Sequence, residues 1–286
     1  MDTSQQLHEL EASGWQRGLY DDIKHVFRGP IINWIFRTLM VNEPEFLRYA
    51  WGQVKPAFET RAFARLTIDY RDAILSELSV PTYRRTAVDL APAEYHALRG
   101  QIATYDIVAP RLATLFEILD RGLHDSLEPT PVDERASTAP FPTTLDRERG
   151  APPTLADTLP ASLEETGEAI RSFHGLGDQL PSIYRTLAQW PPYLERAWTD
   201  LEAEFEGPSF ETARAQAADH VDAFVDELPY TPRLSPADLA PLFDDDTVTD
   251  LQQTLRSFNT GAVETVLPVL PVFAATVDAE GPREAL

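Results

Sequence analysis

Six histidines and 46 acidic residues supply the first candidates for chemistry in this sequence. Asp219, His220 and Asp222 sit on one predicted helix, where only the i, i+3 pair Asp219 and Asp222 shares a face. No HExxH or Glu-x-x-His spacing accompanies them, so the sequence offers no metal site. The run Asp244 to Asp250 has the charge of a calcium loop but lacks its sixth-position glycine and terminal glutamate, and reads as a solvated helix start. There is no Gly-x-Ser-x-Gly elbow, phosphate-cradling loop or dinucleotide fingerprint, and no cofactor is expected. The chain has no cysteine, which excludes disulfides, thiolate metal sites and cysteine nucleophiles.

Two helix starts carry more promise. Gly29-Pro30 and the stretch from Gly177 to Pro181 each precede a predicted helix, whose free N–H groups and dipole favour a small anion such as a carboxylate. Asn33 and Trp34 stand just inside the first start and Ser182 just inside the second; plain capping explains the same residues. Tyr105-Asp106 interrupts an apolar pattern ahead of Pro110, and Ser257-Phe258-Asn259-Thr260 falls at the corresponding place later in the chain.

These residues recur because the chain repeats itself. Phe36-Arg37-Thr38-Leu39 returns as Tyr184-Arg185-Thr186-Leu187, and Pro44 to Trp51 returns as Pro191 to Trp198, each with the form Pro-x-aromatic-Leu-x-x-Ala-Trp. The offsets are 148 and 147 residues, too long for a solenoid unit and suited to two tandem halves. Apolar residues at i, i+3, i+4, i+7 mark helices over 15–27, 32–40, 46–54 and 58–78, and a capped start at Pro92 opens one or two more through 122. Residues 161–173 begin the same order again. No alternating strand pattern of useful length is present, so the predicted fold is all-α: a first helical repeat at 1–123, a Pro-rich linker at 124–160 wrapped over the surface, and a second repeat at 161–286.

The net charge is −22, and only Lys24 and Lys55 among the 24 basic residues are lysines. Such a surface stays hydrated at high salt, which predicts a soluble protein of a halophile's cytoplasm; an arginine-rich high-GC mesophile would leave a similar signature. No basic face is available for nucleic acid or an anionic membrane. The polar, acidic opening MDTSQQLHELEASG has neither the basic nor the apolar segment of a signal peptide.

Two all-helical repeats with these motifs, joined by a proline-rich linker, resemble the group I 2-haloacid dehalogenases. The resemblance implies an intramolecular pseudo-dimer with its site between the halves. It also implies hydrolysis of a carbon–halogen bond in a short 2-haloalkanoic acid by direct attack of water, with no cofactor. Such a site needs a carboxylate base, a second polar group to hold the water, and an apolar pocket with donors for the substrate carboxylate and halide. In the family pattern a Ser-Asp pair precedes the Tyr-Arg of the second repeat and its Asp is the base. Here those positions hold Ser182-Ile183, followed by Tyr184, and the aliphatic Ile183 accepts no proton. The family's water-orienting asparagine is matched by the Tyr105-Asp106 segment, and Trp34 matches a pocket aromatic.

Two expectations follow. Either the base has moved to Asp106, or to Asp178, or the chain is a divergent homologue that binds a small carboxylate or apolar ligand. Burial of a carboxylate at an apolar helical interface favours proton uptake and suits Asp106 to the first. The pocket residues on either view are Asn33, Trp34, Tyr105, Ser182, Ile183, Tyr184 and Asn259. A small carboxylate-bearing molecule is the expected partner, and pairing into a homodimer is open. Helical peroxidases of the alkylhydroperoxidase-D kind have a similar outline, but their chemistry needs a Cys-x-x-Cys pair that is absent.

Overall fold

The computed structural model describes residues 1–128, 139–175, 177–178 and 180–284, and among them the regular elements are helical. Residues before the linker form α1 (Gly14–Phe27), α2 (Trp34–Asn42), α3 (Pro44–Phe58), α4 (Arg61–Ser76) and α5 (Pro92–Leu123). Residues after it form α6 (Glu164–His174), α7 (Ser182–Leu187), α8 (Pro191–Phe205), α9 (Pro208–Asp226) and the short α10 (Pro236–Leu239). A last run comprises α11 (Asp245–Phe258), a turn of π-helix at Asn259–Val263, α12 (Glu264–Val266) and α13 (Val269–Ala275).

Local chemistry sets these boundaries. Thr60 caps α4 by accepting a hydrogen bond from the Phe63 N–H at 3.1 Å, which splits the helix expected over 58–78 from the end of α3. Asp244 accepts from the Thr247 N–H at 2.7 Å, so the acidic run there is a helix cap. Gly175, at φ +62°, closes α6 in the left-handed conformation that glycine adopts without strain.

Two expectations fail. Pro110 does not break the chain: α5 runs unbroken for 32 residues, although a proline there deprives the Asp106 carbonyl of its i+4 donor. Most of α5 is buried, and packing against α4, α9, α11 and α13 outweighs that local cost. Nor is the linker a surface strap. Its residues 129–138 lie outside the described residues, but Phe141, Leu145 and Asp146 are buried at 7, 4 and 4% exposure. The strap is stitched in by Arg61 N–H to Ala139 O, Phe141 N–H to Glu59 O and Ala151 N–H to Gly100 O at 2.7–2.8 Å. Gly150 passes so close to α5 that a Cβ there would lie 2.4 Å from Thr104 Oγ1.

The hydrophobic core is one continuous cluster from Ala12 to Ala279. It contains two aromatic nests of similar make-up. Phe27, Phe36, Trp51 and Phe58 meet edge to face or stacked before the linker, and Tyr184, Trp198 and Phe205 do so after it, with His174 beside Tyr184. The helical run Asp245–Ala275 is long and apolar enough to cross a membrane, yet half of its most apolar window is buried inside the fold.

Candidate functional site

Asp106 is wholly buried, but its surroundings are not apolar. Arg71 Nε donates to both its oxygens at 3.1 and 3.0 Å, Arg149 Nη2 to Oδ2 at 2.5 Å, and the Gly281 N–H to Oδ2 at 3.0 Å. Asp146 completes the cluster, bound by Arg71 at 3.1 Å, Arg111 at 3.0 Å and Arg149 at 2.9 Å. Burial alone would raise the Asp146 carboxyl, but Arg71, Arg111 and Arg149 hold it well below the usual range. Burial pulls the Arg111 guanidinium down to about 10 against the pull of Asp146. Asp146 sits at φ +58°, a left-handed conformation that Asp tolerates better than most residues. Asp106 therefore has its acceptors committed to two guanidiniums and an amide, and the expectation that it is a free base fails on that geometry. Asp178, the alternative, is exposed beside Arg171 and Arg185 in a cleft of about 240 Å³.

The other predicted site residues fall into three groups. Asn33 is a cap: its Oδ1 accepts from the Ile35 N–H at 3.2 Å at the start of α2. Tyr105, Ser182, Ile183 and Tyr184 meet where α5 crosses α7. The Tyr105 hydroxyl bonds the Ser182 carbonyl at 3.1 Å and Thr186 Oγ1 at 2.7 Å. Ile183 is 1% exposed in the core, and the Tyr184 hydroxyl pairs with His174 Nε2 at 2.7 Å. Trp34 and Asn259 form the third group through Phe258, whose ring lies 4.4 Å from that of Trp34.

Asn259 opens onto a cavity of about 510 Å³ between α4 and α5 on one side and α9, the π-turn and α12 on the other. Its Nδ2 donates to Glu117 Oε2 at 2.9 Å and to Asp120 Oδ2 at 3.1 Å. The Glu117 and Asp222 carboxyls lie within hydrogen-bonding reach of each other. Burial raises the Glu117 carboxyl, Asn259 opposes, and the Asp222 charge adds to the rise. Burial likewise raises Asp222, with Arg121 opposing. Asp120 accepts from Arg256 Nε at 3.0 Å and lies 2.9 Å from His124 Nδ1. Tyr70 and Arg214 line the same cavity, and neither makes a side-chain hydrogen bond or ion pair among the described residues. Ala113, Ala217 and Val221 supply its apolar wall.

Sequence reasoning missed Glu117, Tyr70 and Arg214, and treated Asp222 only as a weak metal ligand. One signal was available: Glu117 is a lone acid inside the apolar run from Leu112 to Leu119. Among the described residues no group of three or more His, Cys, Asp or Glu side chains could hold a metal ion.

Residues 30–157 match the family model described as halocarboxylic acid dehydrogenase DehI. An (R)-2-haloacid dehalogenase from Pseudomonas putida is 25% identical over 233 residues, covering 76% of this chain and 74% of that protein. A D-2-haloacid dehalogenase mutant in complex with D-2-CPA superposes with a TM-score of 0.79 at 21% identity, covering 95% of both chains. A D-2-haloacid dehalogenase with L-LA gives 0.76 at 21% identity over the same shares. In sequence the chain is similar to a 2-haloacid dehalogenase, and in fold to D-2-haloacid dehalogenases.

Proposed function

We propose that this protein is a cofactor-independent hydrolase of short 2-haloalkanoic acids. Water attacks the halogen-bearing carbon, a C–O bond forms as the carbon–halogen bond breaks, the halide leaves with the electron pair, and a carboxylate takes the water's proton. The two helical repeats, 1–123 and 161–286, act as an intramolecular pseudo-dimer with the site between them. The observation that carries this reading is the 510 Å³ cavity, lined from both sides of the linker by carboxylates, an asparagine amide, an unpaired arginine and an apolar wall. Its volume falls in the range of small-molecule sites, roughly 300–1,000 Å³. Arg214 and Tyr70 supply donors for a substrate carboxylate, and Asn259 is placed to hold a water beside Glu117.

One observation favours a second reading, a non-catalytic binder of small carboxylates: Ile183 is buried among apolar side chains and Asp106 is committed to arginines, so neither position offers a proton acceptor. Lactate formation from each enantiomer of 2-chloropropionate, assayed in molar KCl, separates the two. Turnover on the ordinary enzymatic scale of about 1–10³ per second supports the hydrolase. Binding of 2-chloropropionate without lactate formation supports the binder. The acidic, lysine-poor composition fits a protein that works in a high-salt cytoplasm, and stability rising with KCl would support that proposal.

A further inference from the structure

We propose that Glu117, sharing a proton with Asp222, is the catalytic base that takes the proton from the attacking water in place of the acid absent at position 183. This rests on the hydrolase reading above and names the residue that would perform it.

Four observations converge on one wall of the cavity. Glu117 projects from α5 with its side chain 20% exposed, open enough to meet a ligand in the cavity. Asn259 binds one Glu117 oxygen at 2.9 Å and belongs to a turn of π-helix, a distortion that recurs at functional sites. Asp222 reaches Glu117 from the facing helix, so two carboxyls share a space where like charges resist joint ionisation. Tyr70 is 2% exposed, lines the same cavity, and has no hydrogen-bond partner among the described residues. Its hydroxyl meets the cavity, where it can donate to an anionic ligand. Arg214, also unpaired, adds the positive charge that a substrate carboxylate requires.

With a substrate carboxylate held between Tyr70 and Arg214, the halogen-bearing carbon lies on the Glu117 side. Water bound by Asn259 and Glu117 then attacks, its proton passing to Glu117 as the C–O bond forms and the halide departs. Burial and the Asp222 charge both raise the Glu117 carboxyl, which strengthens it as a proton acceptor. Other charged groups set the balance: Asp120 and Arg121 on α5, Asp219 and Asp226 on α9, and Arg256 on α11 through its bond to Asp120.

The test uses the full chain, lactate formation from 2-chloropropionate as a function of pH, and circular dichroism to verify folding. Glu117→Gln is expected to lower kcat by about 10²–10⁴ with KM changed only a few-fold. Asp222→Asn, which removes the charge that raises the Glu117 carboxyl, is expected to move the acidic limb of the kcat profile to lower pH. Wild-type kcat in Glu117→Gln, or an unmoved acidic limb in Asp222→Asn, overturns the inference while the hydrolase reading stands. No lactate from either enantiomer with the wild-type chain overturns both.

Discussion

The Asp106–Asp146 cluster is buried inside the helical bundle, whereas the Glu117–Asp222 pair lies at a cavity with Asp222 exposed, and the two sets of carboxylates are neutralised by different means. Asp106 and Asp146 are bound between them by Arg71, Arg111 and Arg149, which hold the Asp146 carboxyl well below the usual range. Glu117 and Asp222 face each other and the Asn259 amide, with Arg121 3.9 Å from Glu117, and a shared proton relieves their remaining repulsion. The first arrangement has committed its protonation state to the fold. The second keeps it adjustable, as proton transfer requires. Burial of a carboxylate alone does not identify a base; what faces the carboxylate does.

The contrast can be broken most directly through stability. Asp146→Asn keeps a residue that tolerates the left-handed backbone but leaves three arginines short of a counter-charge, and should cost about 3–5 kcal/mol in urea unfolding. A loss below about 1 kcal/mol would show that the cluster does not hold the fold.

Smaller in effect is the response to acid. His174 is buried with its ring held down to about 4, and Asp146 is held low by its arginines. Both bind protons more readily when unfolded, so stability should fall as pH drops, first through about 6.5 for His174 and then below about 3.9 for Asp146. His174→Gln should flatten the first step, worth roughly 2–3 kcal/mol. The raised carboxyls of Glu117 and Asp222 act with opposite sign: their protonated forms favour the folded state below the unfolded values, and that contribution is lost as pH rises through the folded ones. A shallower loss of stability with rising pH in Asp222→Asn than in wild type would match; equal slopes would not.

The smallest expected effect is on binding. Tyr70→Phe removes one donor without changing shape and should weaken 2-chloropropionate binding several-fold, read by calorimetry, equivalent to about 1 kcal/mol. Unchanged affinity would place the substrate carboxylate elsewhere in the cavity.

How far these features could be read from the sequence depended on their range. Helix order was legible because apolar spacing and the Pro-x-aromatic-Leu-x-x-Ala-Trp motifs are local. Pro110 misled because its local cost is real, and only the packing around α5 outweighs it. The strap misled for a related reason: its Pro and Thr content describes a loop, while its burial depends on Phe141 and Leu145 finding the core. The ion cluster joins residues 71, 106, 111, 146 and 149 to 281, separations at which no pattern survives. Asn259 drew notice by its place in the repeat, whereas Glu117, Tyr70 and Arg214 come together only through the space they share.

The amide that Gly281 lends to Asp106 has a consequence for how the protein is made. A ribosome delivers the chain from its N-terminal side, so Asp106 and Arg71 emerge long before residues 279–281, whose Ala279 carbonyl and Gly281 amide tie Arg149 and Asp106 into place. Until then the charged centre of the molecule lacks its final contacts. The buried cluster thus gains its full set of contacts only once residues 279–281 are available to it.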